Sequence, residues 1–317
     1  MTSTFSISSL LIGLGAGATS AALFASLVGG NVFALPLFVL APMPLVIAAL
    51  GQGLVAGLIG AATAAIALQT SLGTPAALVH AFAHAAPVLV ACHLILRSTT
   101  TPEAETRWYP LGAVISATAV MVAIATTLGG LAIEFDPITT AEQVATSFRE
   151  AMIAGGAKPT DLPDVIQMEP FLRASVRLMP AFFPAFWTLM LALSLWLGAR
   201  IVAKSGRLAR PWEDMASIEV PLMAGPVFAA GFAGSFLPGS AGLIASIAAG
   251  AAFAPQFLVG LGVAHHMARA SDMRLILLAT LYGLVLLFPI ASLVVAMVGL
   301  AEPFVDLRGR LAARPRS

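Results

Sequence analysis

The chain has 317 residues, of which 59% are hydrophobic and only 10% are charged, and its formal net charge is +1. A water-soluble domain of this length needs far more charge to cover its surface, so the composition excludes a soluble globule and indicates a protein whose main solvent is lipid. The single cysteine, Cys92, excludes an internal disulfide framework and a cysteine-based metal cluster.

Apolar runs that are long enough to cross a bilayer follow one another along the chain. The first has no basic residue before it, unlike a secretory signal, so we expect it to be retained as a membrane helix. The predicted segments are 7–28, 33–50, 54–68, 75–96, 110–133, 179–203, 218–237, 242–265 and 274–300. The predicted fold class is therefore all-α, a polytopic transmembrane helix bundle of about eight to ten membrane segments.

We expect a single integral membrane domain over residues 1–317. Its predicted parts are an N-terminal helix bundle (7–133), a small extracytoplasmic amphipathic insertion (134–177), C-terminal membrane helices (178–301) and a basic tail (302–317). In the insertion, Thr139-Thr140 precedes Glu142-Gln143 as in a capping box, and the helical stripe that follows stops at Gly155. This helix is interpreted as a cap lying on the outer membrane face, with a binding lid as the alternative.

Basic residues are concentrated after the fourth, sixth and eighth predicted segments, and the loop after the seventh has none. These residues are Arg97, Arg107, Arg200, Lys204, Arg207, Arg210, Arg269 and Arg274. By the positive-inside rule these loops face the cytoplasm, which predicts a multi-pass protein of the bacterial inner membrane with a cytoplasmic N-terminus.

The tail is harder to place, because Arg308 and Arg310 favour the cytoplasmic side whereas an odd number of crossings would put it outside. The last apolar run is interrupted by Phe288-Pro289, and proline removes a backbone donor and kinks a helix. It is either one tilted helix or two short halves that turn back. We favour the broken segment.

Three prolines, Pro36, Pro42 and Pro44, lie close together in the second predicted segment and make a regular helix there unfavourable. Unwound backbone at membrane depth is tolerated where it is buried in protein or lines a cavity, and transporters place substrate sites at such breaks. The segment is thus a candidate solute site, with a kinked helix near the interface as the alternative.

His80 and His84 lie four residues apart on the fourth segment and so share one helical face. Ionisable residues inside a membrane are functional candidates because their burial is costly. The pair is interpreted either as neutral histidines hydrogen-bonded across helices or as a proton or solute contact. Metal binding is disfavoured, since no glutamate accompanies the pair in an HExxH pattern and no Cys or Asp lies nearby.

Gln256, in the eighth segment, either joins helices or lines a pocket, because a polar amide at membrane depth must find a partner. The candidate solute-binding residues are therefore Pro42, Pro44, His80, His84 and Gln256. No cofactor and no metal site is predicted.

The first segment carries two rows of small residues, Gly13 with Gly17 and Ala18 with Ala22. Small residues at this spacing let another helix approach closely in lipid. The rows are candidates for docking a membrane partner subunit, and packing within the same bundle is the alternative.

The sequence has no common catalytic or nucleotide-binding motif. It has no P-loop, no GxSxG, no dinucleotide-binding glycine pattern and no paired membrane aspartates of a di-acid protease. We therefore do not expect an enzyme. The basic tracts are short and juxtamembrane, which suits anionic lipid and argues against nucleic acid as a partner. The expected partners are the lipid bilayer, membrane partner subunits and a small-molecule solute.

The chain resembles the YybS-like family of bacterial integral membrane proteins of unknown function. The stretches that carry this resemblance are Pro42-x-Pro44 before Gly51-Gln52-Gly53, the run from Val259 to Ala264, and the tail with Gly299-Leu300, Asp306-Leu307-Arg308 and Arg310. Glu302 stands where an aspartate is more usual, and the 134–177 insertion does not align.

That family is distantly similar in fold to the substrate-binding S-components of energy-coupling-factor transporters and to the cell-shape membrane protein MreD. S-components use small residues on their first helix to contact a transmembrane coupling subunit, and Ala18-x-x-x-Ala22 is similar. The resemblance implies a transport-type subunit that binds a small solute. The alternative is a membrane scaffold for cell-envelope or cell-shape assembly that binds no solute.

Overall fold

The computed structural model describes residues 6–30, 32–101, 105–158, 165–269 and 271–312. Its N-terminal part is a series of helices joined by tight turns, with one π-helical turn between α5 and α6. These elements are α1 (Ile7–Ala25), α2 (Ala34–Val39), α3 (Met43–Gln52), α4 (Leu54–Leu72), α5 (Thr74–Val79), the π turn (His80–Ala85) and α6 (Ala86–Ile95).

The rest of the chain continues with a small hairpin and longer helices. These elements are β1 (Ser98–Thr100), β2 (Thr106–Trp108), α7 (Leu111–Ala132), α8 (Pro137–Ala154), α9 (Val165–Lys204), α10 (Ala224–Gly234), α11 (Gly239–Ala268), α12 (Arg274–Leu287), α13 (Pro289–Val305) and α14 (Leu307–Ala312). In the described part of the chain, seven helices are long and apolar enough to span a membrane, or up to eight if the bent pair α12–α13 counts as one span. The predicted all-α polytopic bundle is confirmed.

The short connections in the N-terminal part depend on glycines with positive φ. Gly53 lies between α3 and α4 with a φ of 95°, and Gly73 lies between α4 and α5 with a φ of 84°. Residues with a Cβ rarely adopt this conformation, so glycine permits these abrupt reversals. The helices they join pack against each other as close neighbours.

The sequence predicts a continuous span over 218–237, but in the structure only the 11 residues of α10 are helical there. Pro221 has no backbone N–H and restricts the residue before it, which opposes a longer helix. The backbone carbonyls of Ala216 and Ile218, which precede α10, accept hydrogen bonds from the guanidinium of Arg308 at 2.9 and 3.3 Å. Hydropathy identified the apolar run but not this hydrogen bonding.

This partly unwound segment runs antiparallel to α11 along its length. Phe228 of α10 packs on Phe253 of α11 with ring centroids 6.4 Å apart. At the other end of α11, Arg269 forms a salt bridge with Asp214, which precedes α10. Between Asp214 and Arg269 the chain therefore runs away from one end of the bundle and then returns to the same end.

The last apolar run breaks at Phe288-Pro289, where α12 and α13 are bent by 119°. α12 begins close to Arg269, and α13 leads to Arg308, which binds the carbonyls of Ala216 and Ile218. Both ends of the pair thus lie at one end of the bundle, so the pair turns back as we favoured from the sequence. This end contains the β1–β2 hairpin, residues 205–217, the C-terminal end of α11 and α14, and we call it the basic end.

The opposite end of the bundle carries α8 and the start of α9. α9 has 40 residues, about 60 Å at 1.5 Å per residue, so it extends well beyond a hydrocarbon core of about 30 Å. α8 packs against α9 through the buried residues Ala141 and Ala145. The predicted boundary between 177 and 178 falls inside this continuous helix.

The start of α8 differs from the predicted capping box. The N-cap is Asp136, whose carboxylate accepts the backbone N–H of Thr139 at 2.9 Å, and Pro137 occupies the first helical turn. Proline is favoured at this position and aspartate is a strong N-cap, so the helix begins before the two threonines. The same hydrogen bond lowers the pKa of Asp136.

Candidate functional site

His80 and His84 lie at the centre of the N-terminal helices, where α1, the break between α2 and α3, and α9 converge on the π turn. Both side chains are fully buried. Counted along the helix axis from Thr74, they are about 9 and 15 Å deep at 1.5 Å per residue. The pair is therefore nearer to the end of the bundle that is opposite the basic end.

Pro87 explains why the helix forms a π turn here. A proline has no N–H and clashes with the carbonyl four residues earlier, which is that of Ala83. The indole Nε1–H of Trp187 in α9 donates to this carbonyl at 2.7 Å, across 104 residues of sequence. The freed backbone acceptor thus fixes α9 against the histidine-bearing helix.

A turn over residues 40–42 separates α2 from α3 next to Pro42 and Pro44, although Ala34–Gln52 still counts as one span, and the turn frees a backbone carbonyl. The N–H of Leu45 bonds to the carbonyl of Pro42 instead of continuing the α-helical pattern back to Ala41. The Ala41 carbonyl accepts the Ser20 hydroxyl at 2.6 Å in its place. The effect of these prolines is therefore to leave the Ala41 carbonyl available for the Ser20 hydroxyl.

Ser20 also determines which nitrogen of His80 carries a proton. The Ser20 oxygen lies 2.8 Å from Nε2 of His80, and its only proton is donated to the Ala41 carbonyl, which can only accept. Nε2 of His80 must then carry a proton and donate to Ser20. In a neutral ring Nδ1 is left as an acceptor, and this atom is buried without a hydrogen-bond partner.

His84 is enclosed by aromatic side chains. Its ring lies parallel to that of His80 at a centroid distance of 5.4 Å, and it meets Phe24, Phe38 and Trp187 edge-on at 5.2, 5.1 and 4.6 Å. Neither nitrogen of His84 has a partner within hydrogen-bonding distance and angle, although the backbone carbonyl of Phe38 lies on the side of the ring where it could accept a weak hydrogen bond. We name His80, His84, Ser20, Phe24, Phe38 and Trp187 the histidine site.

The histidine site therefore contains unused hydrogen-bonding capacity. A neutral imidazole always has one donor and one acceptor, so two acceptors and one donor are left without partners in the protein. Each such buried group costs about 1–3 kcal/mol. In the part of the chain that the structure describes, no group of three or more His, Cys, Asp or Glu residues could hold a metal ion.

Gln256 does not join the histidine site by a hydrogen bond. Its side chain is buried in α11, and neither amide atom has a partner within the described residues. Its backbone carbonyl faces Gly299 of α13 so closely that a Cβ on that glycine would collide with it. The side-chain amide of Gln256 is thus a second buried polar group without hydrogen-bond partners, separate from the histidine site.

The structure assigns the two small-residue rows of α1 to different surroundings. Gly13 and Gly17 close on α4: a Cβ on Gly13 would lie 2.7 Å from the Ala56 carbonyl oxygen, and one on Gly17 would collide with the Gly60 carbonyl. Ala18 and Ala22 are exposed. Internal packing thus occupies the glycine row, and only the alanine row is open to a partner.

Ser20, Phe24, Phe38 and Trp187 were not among the residues that the sequence predicted. Trp187 offered a signal, since an indole N–H deep in a span needs an acceptor. Ser20 and Phe24 are four apart on one helical face, but nothing in the sequence connects that face to the histidines.

The basic end has its own set of polar contacts, and most of its buried charges are paired. Arg210 is buried, donates to the Tyr109 carbonyl at 2.8 Å and pairs with Glu213. Burial lowers the pKa of Arg210. The hydrogen bond from Arg269 lowers the pKa of Asp214.

Glu302 and Arg308 form the second charged contact at this end. The carboxylate of Glu302 accepts the backbone N–H groups of Leu307 and Arg308, at 3.0 and 3.3 Å, and the Nε–H of Arg308 at 2.6 Å. Arg308 in turn donates to the two carbonyls before α10. This ion pair fastens the tail to the rest of the bundle.

A family model described as "Predicted membrane protein (DUF2232)" matches residues 18–302. The matched stretch contains the whole histidine site and ends at Glu302. No curated protein and no solved structure matches the chain.

Proposed function

Because the chain belongs to this family of predicted membrane proteins, DUF2232, we propose that it is a non-enzymatic, transport-type subunit of the bacterial inner membrane that binds a small solute at the histidine site. The resemblance to YybS-like proteins and to S-components supports a transport-type role. Partner subunits would supply the energy.

The observation that carries the proposal is the unmet hydrogen-bonding capacity of His80 and His84. A buried polar group that served only the fold would be expected to have partners. Here two imidazoles pack against aromatic rings while three of their nitrogen positions have no hydrogen-bond partner. A solute with donors and an acceptor would satisfy them.

The elements around the site favour access from the end opposite the basic end. α2 has only six residues, and its side chains Leu35 and Leu37 are exposed. Phe38 lies at its C-terminal end and covers His84. A displacement of this short helix would uncover the imidazoles without unfolding a complete span.

The charge distribution supports one orientation in the membrane. Arg97, Arg200, Lys204 and Arg207 all lie at the basic end, which the positive-inside rule assigns to the cytoplasm. The N-terminus is then cytoplasmic, and the buried histidine site lies nearer to the extracytoplasmic side, where α8 and the start of α9 project.

The test is native mass spectrometry of tagged protein extracted gently from its own membranes. We expect a bound metabolite in the wild type, and its loss in His84→Leu and in Ser20→Ala. Thr118→Val is the matched control, because the buried Thr118 hydroxyl bonds only within its own helix, to Val114. Retention of the metabolite by a folded His80→Ala/His84→Ala double variant would overturn the proposal.

A membrane scaffold for envelope or cell-shape assembly is the second candidate, and the exposed alanine row of α1 favours it. Under this reading Ala18→Trp breaks association with other membrane proteins and the histidines are dispensable. Gly15→Trp is the control, since a side chain there meets open space. Gly17 is unsuitable for this test, because a bulky residue would disrupt packing on α4. A partner complex that survives Ala18→Trp would count against docking through this face.

A further inference from the structure

The last turns of α9 have an exposed stripe that changes from apolar to positively charged toward the basic end. Leu193 and Trp196 are 39% and 43% exposed, and the next residues on the same face, Arg200 and Lys204, are also exposed. The opposite face of the same turns, with Leu195, Gly198 and Val202, is buried in the bundle. We call Leu193, Trp196, Arg200 and Lys204 the α9 stripe.

We propose that the α9 stripe binds an anionic glycerophospholipid of the adjoining leaflet, with an acyl chain along Leu193 and Trp196 and the phosphate on Arg200 and Lys204. The two cations are one helical turn apart, about 6 Å along the axis. This spacing matches the depth of a headgroup layer, about 5–7 Å on each side of the hydrocarbon core.

Aromatic side chains place the stripe at the membrane surface. Trp196, Trp108, Tyr109 and Trp212 all lie toward the basic end, as expected of the aromatic belt at a bilayer interface. The guanidinium of Arg200 lies over the Trp196 ring at 5.7 Å. This contact places the cation beside the aromatic ring on the same exposed face of α9.

The two cations are available for a phosphate. No salt bridge engages Arg200 or Lys204 among the described residues. Of the acids between α9 and α10, Glu213 pairs with Arg210 and Asp214 pairs with Arg269, whereas Glu219 is exposed farther along the chain. The β1–β2 hairpin, which is also at the basic end, carries the exposed Arg107, and its only described acid is Glu105. Charge complementarity at this surface therefore favours an anionic partner.

The test is binding of phosphatidylglycerol and phosphatidylcholine to the full chain in neutral detergent, followed by native mass spectrometry. We expect the wild type to retain phosphatidylglycerol preferentially, and Arg200→Gln/Lys204→Gln to weaken it about 30-fold, given the free energy usually gained per cation at an anionic surface. The matched control, Arg274→Gln/Arg310→Gln, removes two exposed cations elsewhere at the same end and leaves binding unchanged. Arg200→Lys retains most of it.

Thermal unfolding of each variant in parallel shows whether it is folded. Equal losses in the two double variants would mean that net charge alone matters, and equal binding of the two lipids would remove the role of the phosphate headgroup's charge. Displacement of phosphatidylglycerol by inorganic phosphate would identify an ion site. Capture by an acidic peptide but not by lipid would identify a protein surface. Each of these results overturns the proposal.

Discussion

The histidine site and the Glu302–Arg308 pair both hold polar side chains in buried surroundings, but they differ in how many partners these side chains have. Glu302 accepts three hydrogen bonds, and Arg308 reaches two backbone carbonyls besides. His84 has no hydrogen-bond partner at either nitrogen. The difference separates polar groups that are satisfied within the fold from polar groups that are not, and the proposed solute would occupy the second kind. Substitutions in the two regions should therefore have opposite effects on stability and binding.

Glu302→Ala should have the largest effect on stability. It leaves the partly buried guanidinium of Arg308 without its carboxylate and removes the acceptor of two backbone N–H groups, so we expect a loss of about 3–5 kcal/mol. The measurement is the free energy of unfolding in detergent. Glu219→Ala, which removes an exposed carboxylate, is the control and should change little. Similar values for the two variants would show that the pair does not hold the tail.

Trp187→Phe should have an intermediate effect, because it keeps an aromatic ring beside His84 but removes the donor to the Ala83 carbonyl. A buried carbonyl left in this way costs about 1–3 kcal/mol. Chemical unfolding of the variant measures the loss. Trp196→Phe is the control, since Trp196 is exposed. If both substitutions cost the same, the indole hydrogen bond is not what fixes α9 at the π turn.

His84→Leu should barely change stability, or raise it, within about 1 kcal/mol, because an unpartnered polar ring is replaced by an apolar side chain. Solute binding should nevertheless be lost. This combination distinguishes the histidine site from the Glu302–Arg308 pair most directly. A loss of stability as large as that of Glu302→Ala would show that His84 is a structural core residue.

The smallest effect is expected from Asp214, at the exposed surface of the basic end. The hydrogen bond from Arg269 lowers its pKa below the ordinary value of 3.8, so the carboxylate stabilises the folded protein above that pH and ceases to do so as the pH falls through the lowered pKa. The unfolding midpoints of wild type and Asp214→Asn should differ slightly at neutral pH and converge in acid. Added salt should also reduce the difference. A difference that grows in acid would contradict the assignment.

The sequence predicted the features that depend on local chemistry. Apolar runs identify membrane helices because every backbone polar group must be satisfied inside lipid, and Phe288-Pro289 marked the break because proline cannot donate. The spacing of His80 and His84 predicted a shared face, and the parallel rings confirm it.

Features that depend on distant partners could not be predicted in this way. Ser20 lies 60 residues from His80, so the serine gave no sign of its role. The interruption before α10 depends on Arg308, about which hydropathy says nothing. In α1 the spacing identified both small-residue rows, but which of them faces α4 is decided by packing that periodicity alone does not specify.

The reversal between α12 and α13 has a consequence for how the chain is inserted during synthesis. An arginine at the centre of a membrane segment costs about 2.5–3.5 kcal/mol during translocon-mediated insertion. Because α12 and α13 leave and return to the same end, the insertion machinery never has to carry Arg308 or Arg310 through the bilayer. The two helices can enter together as a hairpin, and a reporter fused to the C-terminus would remain in the same compartment as loop 205–217.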